Sequence, residues 1–198
     1  MRTFSELTNI YLWGLLLSIA NCQTPAGFVP QTKNGMTILF GDREVSVGSY
    51  IPKQVAAVRP EIMHVSPIDT PLMAIMIDPT QPDQQTPAYP QLLYWFQPNL
   101  TETKSQDMVY LNYTDSEALT PYLGPQPVDD GRLHTYIILL FRQPSNYTVS
   151  SRFPTSFAEF AQRQHFQLEE YAIKTGMGDP VAATYFLSAV NCVPMAPF

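Results

Sequence analysis

Nineteen prolines in 198 residues decide most of what this chain can fold into. Proline lacks a backbone N–H and fixes φ, so it interrupts helices and central strands alike. The intervals left between prolines are short, which favours strands joined by turns over long helices. Hydrophobic residues make up 45% of the chain and charged residues 14%, enough apolar surface to build a packed core. A chain of this length needs no more than one ordinary domain. Its net charge of −6 argues against a nucleic-acid partner, because binding to a phosphate backbone draws on clustered Lys and Arg.

The first segment, "MRTFSELTNIYLWGLLLSIANCQ", carries Arg2 and then an apolar run from Ile10 to Ala20 that is too short to span a bilayer. It predicts a secretory signal over residues 1–20, and a single domain over 21–198. Cleavage after Ala20 or after Cys22 fits the small-residue rule. The first is expected, because it keeps Cys22 as a disulfide partner for Cys192 in an oxidising compartment. Three sequons agree with a secreted or lumenal location and mark Asn99, Asn112 and Asn146 as glycosylation sites. No later stretch reads as a transmembrane segment.

Strand signals fall at "MTILFGDREVSVGSYI", a hairpin about Gly41-Asp42, and at Leu72 to Ile77, Leu92 to Phe96, Met108 to Tyr113 and Thr135 to Phe141. Leu133 to Phe141 is apolar on both faces apart from His134 and Thr135, as expected of a central strand covered on two sides. Helical signal is confined to the C-terminal part. There Ser156 can cap "FAEFAQRQ", and "LEEYAIKTG" stops at Gly176. Glu169 and Glu170 suit the start of that second helix.

Common catalytic motifs are missing: there is no phosphate-binding loop, no His-Glu-x-x-His and no Gly-x-Ser-x-Gly elbow. His64, His134 and His165 lack ligand spacing, so no metal or other cofactor is expected. His134 draws interest through its company. The strand in "LMAIMIDPTQP" ends in Asp78 with Pro79 fixing the exit, and a strand beginning at His134 would bring acid and imidazole together at one end of the sheet. Such a pair holds the imidazole in one tautomer and makes it an oriented donor to an anion or carbonyl. On these residues alone, a turn-capping Asp78 and an ordinary core histidine is the simpler account.

The stretches "IDPTQP", "YLGPQPVDDGRLHTYIILLFRQ" and "GMGDPVAATYF" resemble, in order and spacing, the phosphatidylethanolamine-binding protein family, as found in secreted fungal members. The resemblance implies a mainly β fold, a large antiparallel β-sheet packed on a smaller sheet with short C-terminal helices, and a ligand pocket at one end of the large sheet. It assigns Asp78, Pro79, Tyr94, Gly124, Pro127, His134 and Tyr136 to that pocket. Two family positions are altered: Thr80 replaces a second acid, and Tyr94 stands where the family carries another histidine. The expected ligand is small and anionic or carbonyl-bearing, lipid-like or a polyketide. A second expectation is catalytic or accessory work in fungal polyketide metabolism, joining maleic-anhydride units beside a ketosteroid-isomerase-like protein, with Asp78 or His134 moving a proton. A third is inhibition of a protease of the serine carboxypeptidase type. The residues leave open whether the pocket catalyses or only binds.

Overall fold

A computed structural model describes residues 22–64, 66–68, 71–79, 91–113, 118–147, 163–164 and 166–190. Within them the strands are β1 (Thr37–Phe40), β2 (Arg43–Glu44), β3 (Glu61–His64), β4 (Leu72–Asp78), β5 (Leu92–Ser105), β6 (Met108–Asn112), β7 (His134–Arg142) and β8 (Ala182–Ser188). All pair antiparallel, in the order β2-β1-β3-β6-β5-β4-β7-β8. The expected larger and smaller sheets are joined through the 14-residue β5, whose first half pairs with β4 and whose second half pairs with β6.

The predicted hairpin forms at Gly41, whose φ of 61° lies in the left-handed region that glycine adopts without strain. β7 is an interior strand between β4 and β8, with Tyr136 to Phe141 fully buried. This placement explains why its sequence is apolar on both faces. β3 and β8 were not foreseen. Four residues of β3 are too few to display a period of two, and the alanines of β8 carry little strand propensity.

The sheet curls until its ends approach one another. Gly35 and Tyr50, on either side of the β1–β2 hairpin, bridge in parallel to Ala183 and Leu187 of β8. One core lies inside the curl, where Ile38, Phe40 and Ile62 meet Leu72, Tyr136 and Phe186. A second core lies on the opposite face of β4, β5 and β7, where Ile75, Phe96 and Leu139 pack under Leu168 and Tyr171 of helix α1 (Leu168–Thr175). α1 has the expected acids in its first turn, and Gly176 closes it at φ 73°. Its first N–H groups lack a capping side chain from Gln167, and the Leu168 amide instead donates to Gln91 Oε1 at 3.2 Å.

The Cys22–Cys192 disulfide is not formed in this structure. Cys22 is a free thiol whose Sγ lies 3.1 Å from Thr24 Oγ1 and donates to the Thr32 carbonyl at 3.4 Å. Cys192 lies outside the described residues, as do the expected signal segment, Thr80, His165 and the helix expected after Ser156 apart from Arg163 and Gln164 at its end. No described helix is long and apolar enough to cross a membrane.

Candidate functional site

The candidate residues gather where β4 ends, β5 and β7 begin, and β8 ends. Asp78 is the last residue of β4 and His134 the first of β7, so each strand places a polar side chain at the same rim. The two side chains meet there. His134 Nδ1 donates to Asp78 Oδ2 at 3.0 Å, with the side chains 2% and 1% exposed. A carboxylate has no proton to give, so this bond fixes Nδ1–H and leaves Nε2 facing the other way.

The Nε2 side makes no well-aligned hydrogen bond among the described residues. Asp130 Oδ1 approaches it only to 3.6 Å, from the turn that precedes β7. That turn is tied locally, because the Asp130 carboxylate accepts from the Arg132 amide at 2.9 Å. This bond, followed by the charge on His134, holds the Asp130 carboxyl below its usual range. The Asp78 hydrogen bond raises the His134 imidazolium above the ordinary histidine value, and Asp78 and Asp130 charges add to the shift against burial. Asp130 is a site residue that the sequence reading did not assign. The available signal was an acid four positions before His134 in a Gly-containing turn.

Strand alternation carries the site along one face. Tyr136 follows His134 on the same side of β7, and across the ladder His134 pairs with Ser188 and Tyr136 with Phe186. Tyr136 stacks on Phe186 at 5.4 Å and meets Tyr94 edge to face at 5.1 Å. Three buried polar atoms at this end, His134 Nε2, Tyr136 Oη and Ser188 Oγ, make no well-aligned hydrogen bond among the described residues, with Asp130 near the first and Tyr94 and the Gln126 backbone near the second. Burial, followed by the Asp78 charge, pushes the Tyr94 phenol up to about 12. Burial, then Tyr94 and Asp78, drives the Tyr136 phenol far above its usual value. Both are therefore hydroxyl donors at neutral pH.

Tyr94 occupies its place through a bulge. Leu93 pairs with Ile77 and Trp95 with Met76, so Tyr94 is the extra residue of β5. Freed from β4, its carbonyl accepts from the Leu123 amide at 2.9 Å and from Arg163 Nη1 at 3.1 Å. The Leu123 bond brings the Gly/Pro-rich lip over the site. The Gln126 backbone acts on both phenols, and Pro125 and Pro127 are buried beside it. Gly124 rests against the 3-10 turn Val55–Ala57, where an added Cβ would fall 2.9 Å from both the Ala56 carbonyl oxygen and the Ala57 Cα. Tyr122 secures the same turn by donating from its hydroxyl to the Ala56 carbonyl at 2.7 Å. Pro79 is half-buried at the exit of β4.

Asp78, Tyr94, His134 and Tyr136 are thus brought together, with Gly124 and Pro127 in the lip above them. His64 lies elsewhere, its Nε2 3.0 Å from Glu102 Oε1. Among the described residues no cluster of three or more His, Cys, Asp or Glu is arranged to hold a metal ion.

A curled antiparallel sheet bearing an acid–imidazole pair and paired phenols beneath a Gly/Pro lip defines this end of a β protein. This chain belongs to the phosphatidylethanolamine-binding protein family, whose model matches residues 41–186. It is 28% identical over 203 aligned positions to phomoidride biosynthesis cluster protein N of Talaromyces stipitatus, covering 93% of this chain and 99% of that one. Its fold is similar to that of carboxypeptidase Y inhibitor solved with its cognate proteinase, with TM-score 0.64 and 19% identity over 81% of this chain and 85% of the other. It is also similar to a phosphatidylethanolamine-binding protein from Plasmodium vivax, with TM-score 0.53 and 19% identity over 81% and 90% of the two chains.

Proposed function

We propose that this protein binds a small anionic or carbonyl-bearing ligand at the Asp78–His134 end of the sheet. The observation that carries the reading is that three buried polar atoms on one face of the β7–β8 ladder, His134 Nε2, Tyr136 Oη and Ser188 Oγ, make no well-aligned hydrogen bond among the described residues, although Asp130 stands 3.6 Å from the first and Tyr94 borders the second. Leaving a buried donor unpaired costs about 1–3 kcal/mol, so such atoms call for a ligand that satisfies them. His134 offers a donor oriented by Asp78, the tyrosines offer neutral hydroxyls, and Phe186 offers an apolar wall.

The full-length similarity to a biosynthesis cluster protein favours one setting for that chemistry, secondary metabolism, with a polyketide-type carboxylate or anhydride as ligand. In that setting His134 would protonate or hydrogen-bond a developing enolate or carboxylate. The likeness to the carboxypeptidase Y inhibitor is one of fold and supports no inhibitory surface here. We also propose a secreted, glycosylated form, supported by exposed Asn99, Asn112 and Asn146 in their sequons.

Calorimetric titration with an alkyl maleate and with short-chain phosphatidylethanolamine tests the site. Asp78→Asn is expected to weaken binding nearly as much as His134→Ala, because an amide does not stabilise the charged imidazole. The double variant should be little worse than either single one, whereas independent residues would add to within about 0.5 kcal/mol. Binding of every ligand equally by the wild type and the double variant would end the proposal.

A further inference from the structure

The outer face of the sheet is covered unevenly. Over β4, β7 and the first half of β5, helix α1 and the second core lie against it. Over β3, β6 and the second half of β5, the outward residues Glu61, Thr101, Thr103, Tyr110 and Asn112 stay exposed, while Ile62, Leu100 and Leu111 point into the inner core. Glu61, Thr103, Tyr110 and Asn112, with Ser105 and Arg59, line a groove of about 530 Å³ on this bare half. Arg59 is held there over the Tyr113 ring, 4.1 Å from its centre.

Asn112 opens the sequon Asn112-Tyr113-Thr114, and the atom that would take a sugar lies over the β5–β6 ladder. Its Nδ2 donates to Thr103 Oγ1 at 2.7 Å and reaches the Thr101 carbonyl at 3.5 Å. Tyr110 stands two residues earlier on β6, hence on the same side of the strand, directly across from Thr103. Its side chain is 38% exposed, an aromatic surface that nothing described covers. The other two sequons lack such a neighbour: two residues before Asn99 stands the buried Gln97, and two before Asn146 stands Pro144.

Oligosaccharide transfer forms a bond from Nδ2 to the anomeric carbon of an N-acetylglucosamine. It breaks that carbon's bond to the diphosphate of an activated, lipid-linked donor, which leaves with the bonding pair while Nδ2 gives up one proton. One N–H remains, enough to keep the bond to Thr103. A pyranose has a face of C–H groups and a rim of hydroxyls. The Tyr110 ring matches the face, and Glu61, Thr103, Ser105 and Arg59 supply donors and acceptors to the rim.

We propose that the Asn112 glycan folds back into this groove, its first sugar packed on Tyr110, and covers this half of the outer face as α1 covers the other. This rests on the secreted, glycosylated form proposed above.

The test is peptide N-glycosidase digestion of the full chain from a eukaryotic secretion host, followed site by site by mass spectrometry. From folded wild type, the Asn112 glycan should be released about ten-fold or more slowly than those at Asn99 and Asn146, and all three should be released alike after denaturation. Tyr110→Ala should bring Asn112 to within about two-fold of the other sites, and Tyr110→Phe, which keeps the ring, should preserve the slow release. Thr114→Ala removes the glycan but keeps Asn112, and should lower the melting temperature by about 2–4 °C, whereas Thr148→Ala, which removes the Asn146 glycan, should not. Equal release from the three sites of the folded protein, or slow release at Asn112 that Tyr110→Ala leaves unchanged, would overturn the inference. A Thr114→Ala protein that melts with the wild type would do the same. Bare Asn112 beside occupied Asn99 and Asn146 would overturn the inference alone; a chain without sugar at any site would take the glycosylated form with it.

Discussion

His134 takes up a proton more readily than a free imidazole because the proton is shared with a buried carboxylate on one side and faces a second acid on the other. The direction fixes a pH dependence. A folded value above the unfolded one, which is about 6.5, means that the pair's contribution to stability is complete below about pH 6.5 and is lost as pH rises through the elevated folded value. Asp130 runs the other way: its contribution is present above about pH 4 and fades as pH falls through its depressed value. We expect the melting-temperature gap between wild type and His134→Gln to be widest on the acid side of neutrality and to narrow with rising pH. NMR titration of the His134 ring should give a lower value in Asp130→Asn than in wild type. An identical titration in the two proteins would remove Asp130 from the site.

The elements differ in how openly the sequence announces them. β4 and β7 were legible because each is an unbroken apolar run bounded by a polar residue; their ends allowed an Asp78–His134 contact, and the family resemblance, not those residues alone, favoured it. The two helical residues that matter most for the lip's support, Ala56 and Ala57, belong to a single 3-10 turn with no periodic signal. The bulge that frees Tyr94 was also hidden, because one extra residue in a strand leaves no mark on composition. Arg163 carried no signal beyond its place in the helix expected after Ser156, and its bond to the Tyr94 carbonyl appears only once the backbone lies against β5. The lip offers the clearest test at this scale. Gly124→Ala would set a methyl 2.9 Å from two backbone atoms of the 3-10 turn, which cannot yield as a side-chain tip could. We expect a loss of about 1–3 kcal/mol in chemical denaturation, together with weaker ligand binding as the lip lifts. Unchanged stability would show that the turn and lip can separate without cost.

For the molecule as a whole, the curl wraps the eight described strands around the inner core and leaves the second core on the outer face of β4, β5 and β7. The secretory proposal belongs at this scale, because glycans would have to sit outside that curl. Asn99 and Asn112 lie on exposed positions of β5 and β6, and Asn146 lies on an exposed turn after β7. Protein recovered from a eukaryotic secretion host should gain electrophoretic mobility after glycosidase treatment, and unchanged mobility would withdraw the proposal. The segment after the β1–β2 hairpin has one more effect. The Gly48 and Ile51 amides donate to Tyr185 and Leu187 at 2.8 Å, and the Leu187 amide donates to Ser49 at 2.9 Å, so the outer hydrogen-bonding groups of β8 are already taken. At the opposite margin, β2 is only two residues long and presents Arg43 and Glu44 to solvent. Neither margin offers a neighbouring molecule a row of free amides to add to, and a chain this rich in apolar strands is thereby shielded from growing into fibres edge by edge.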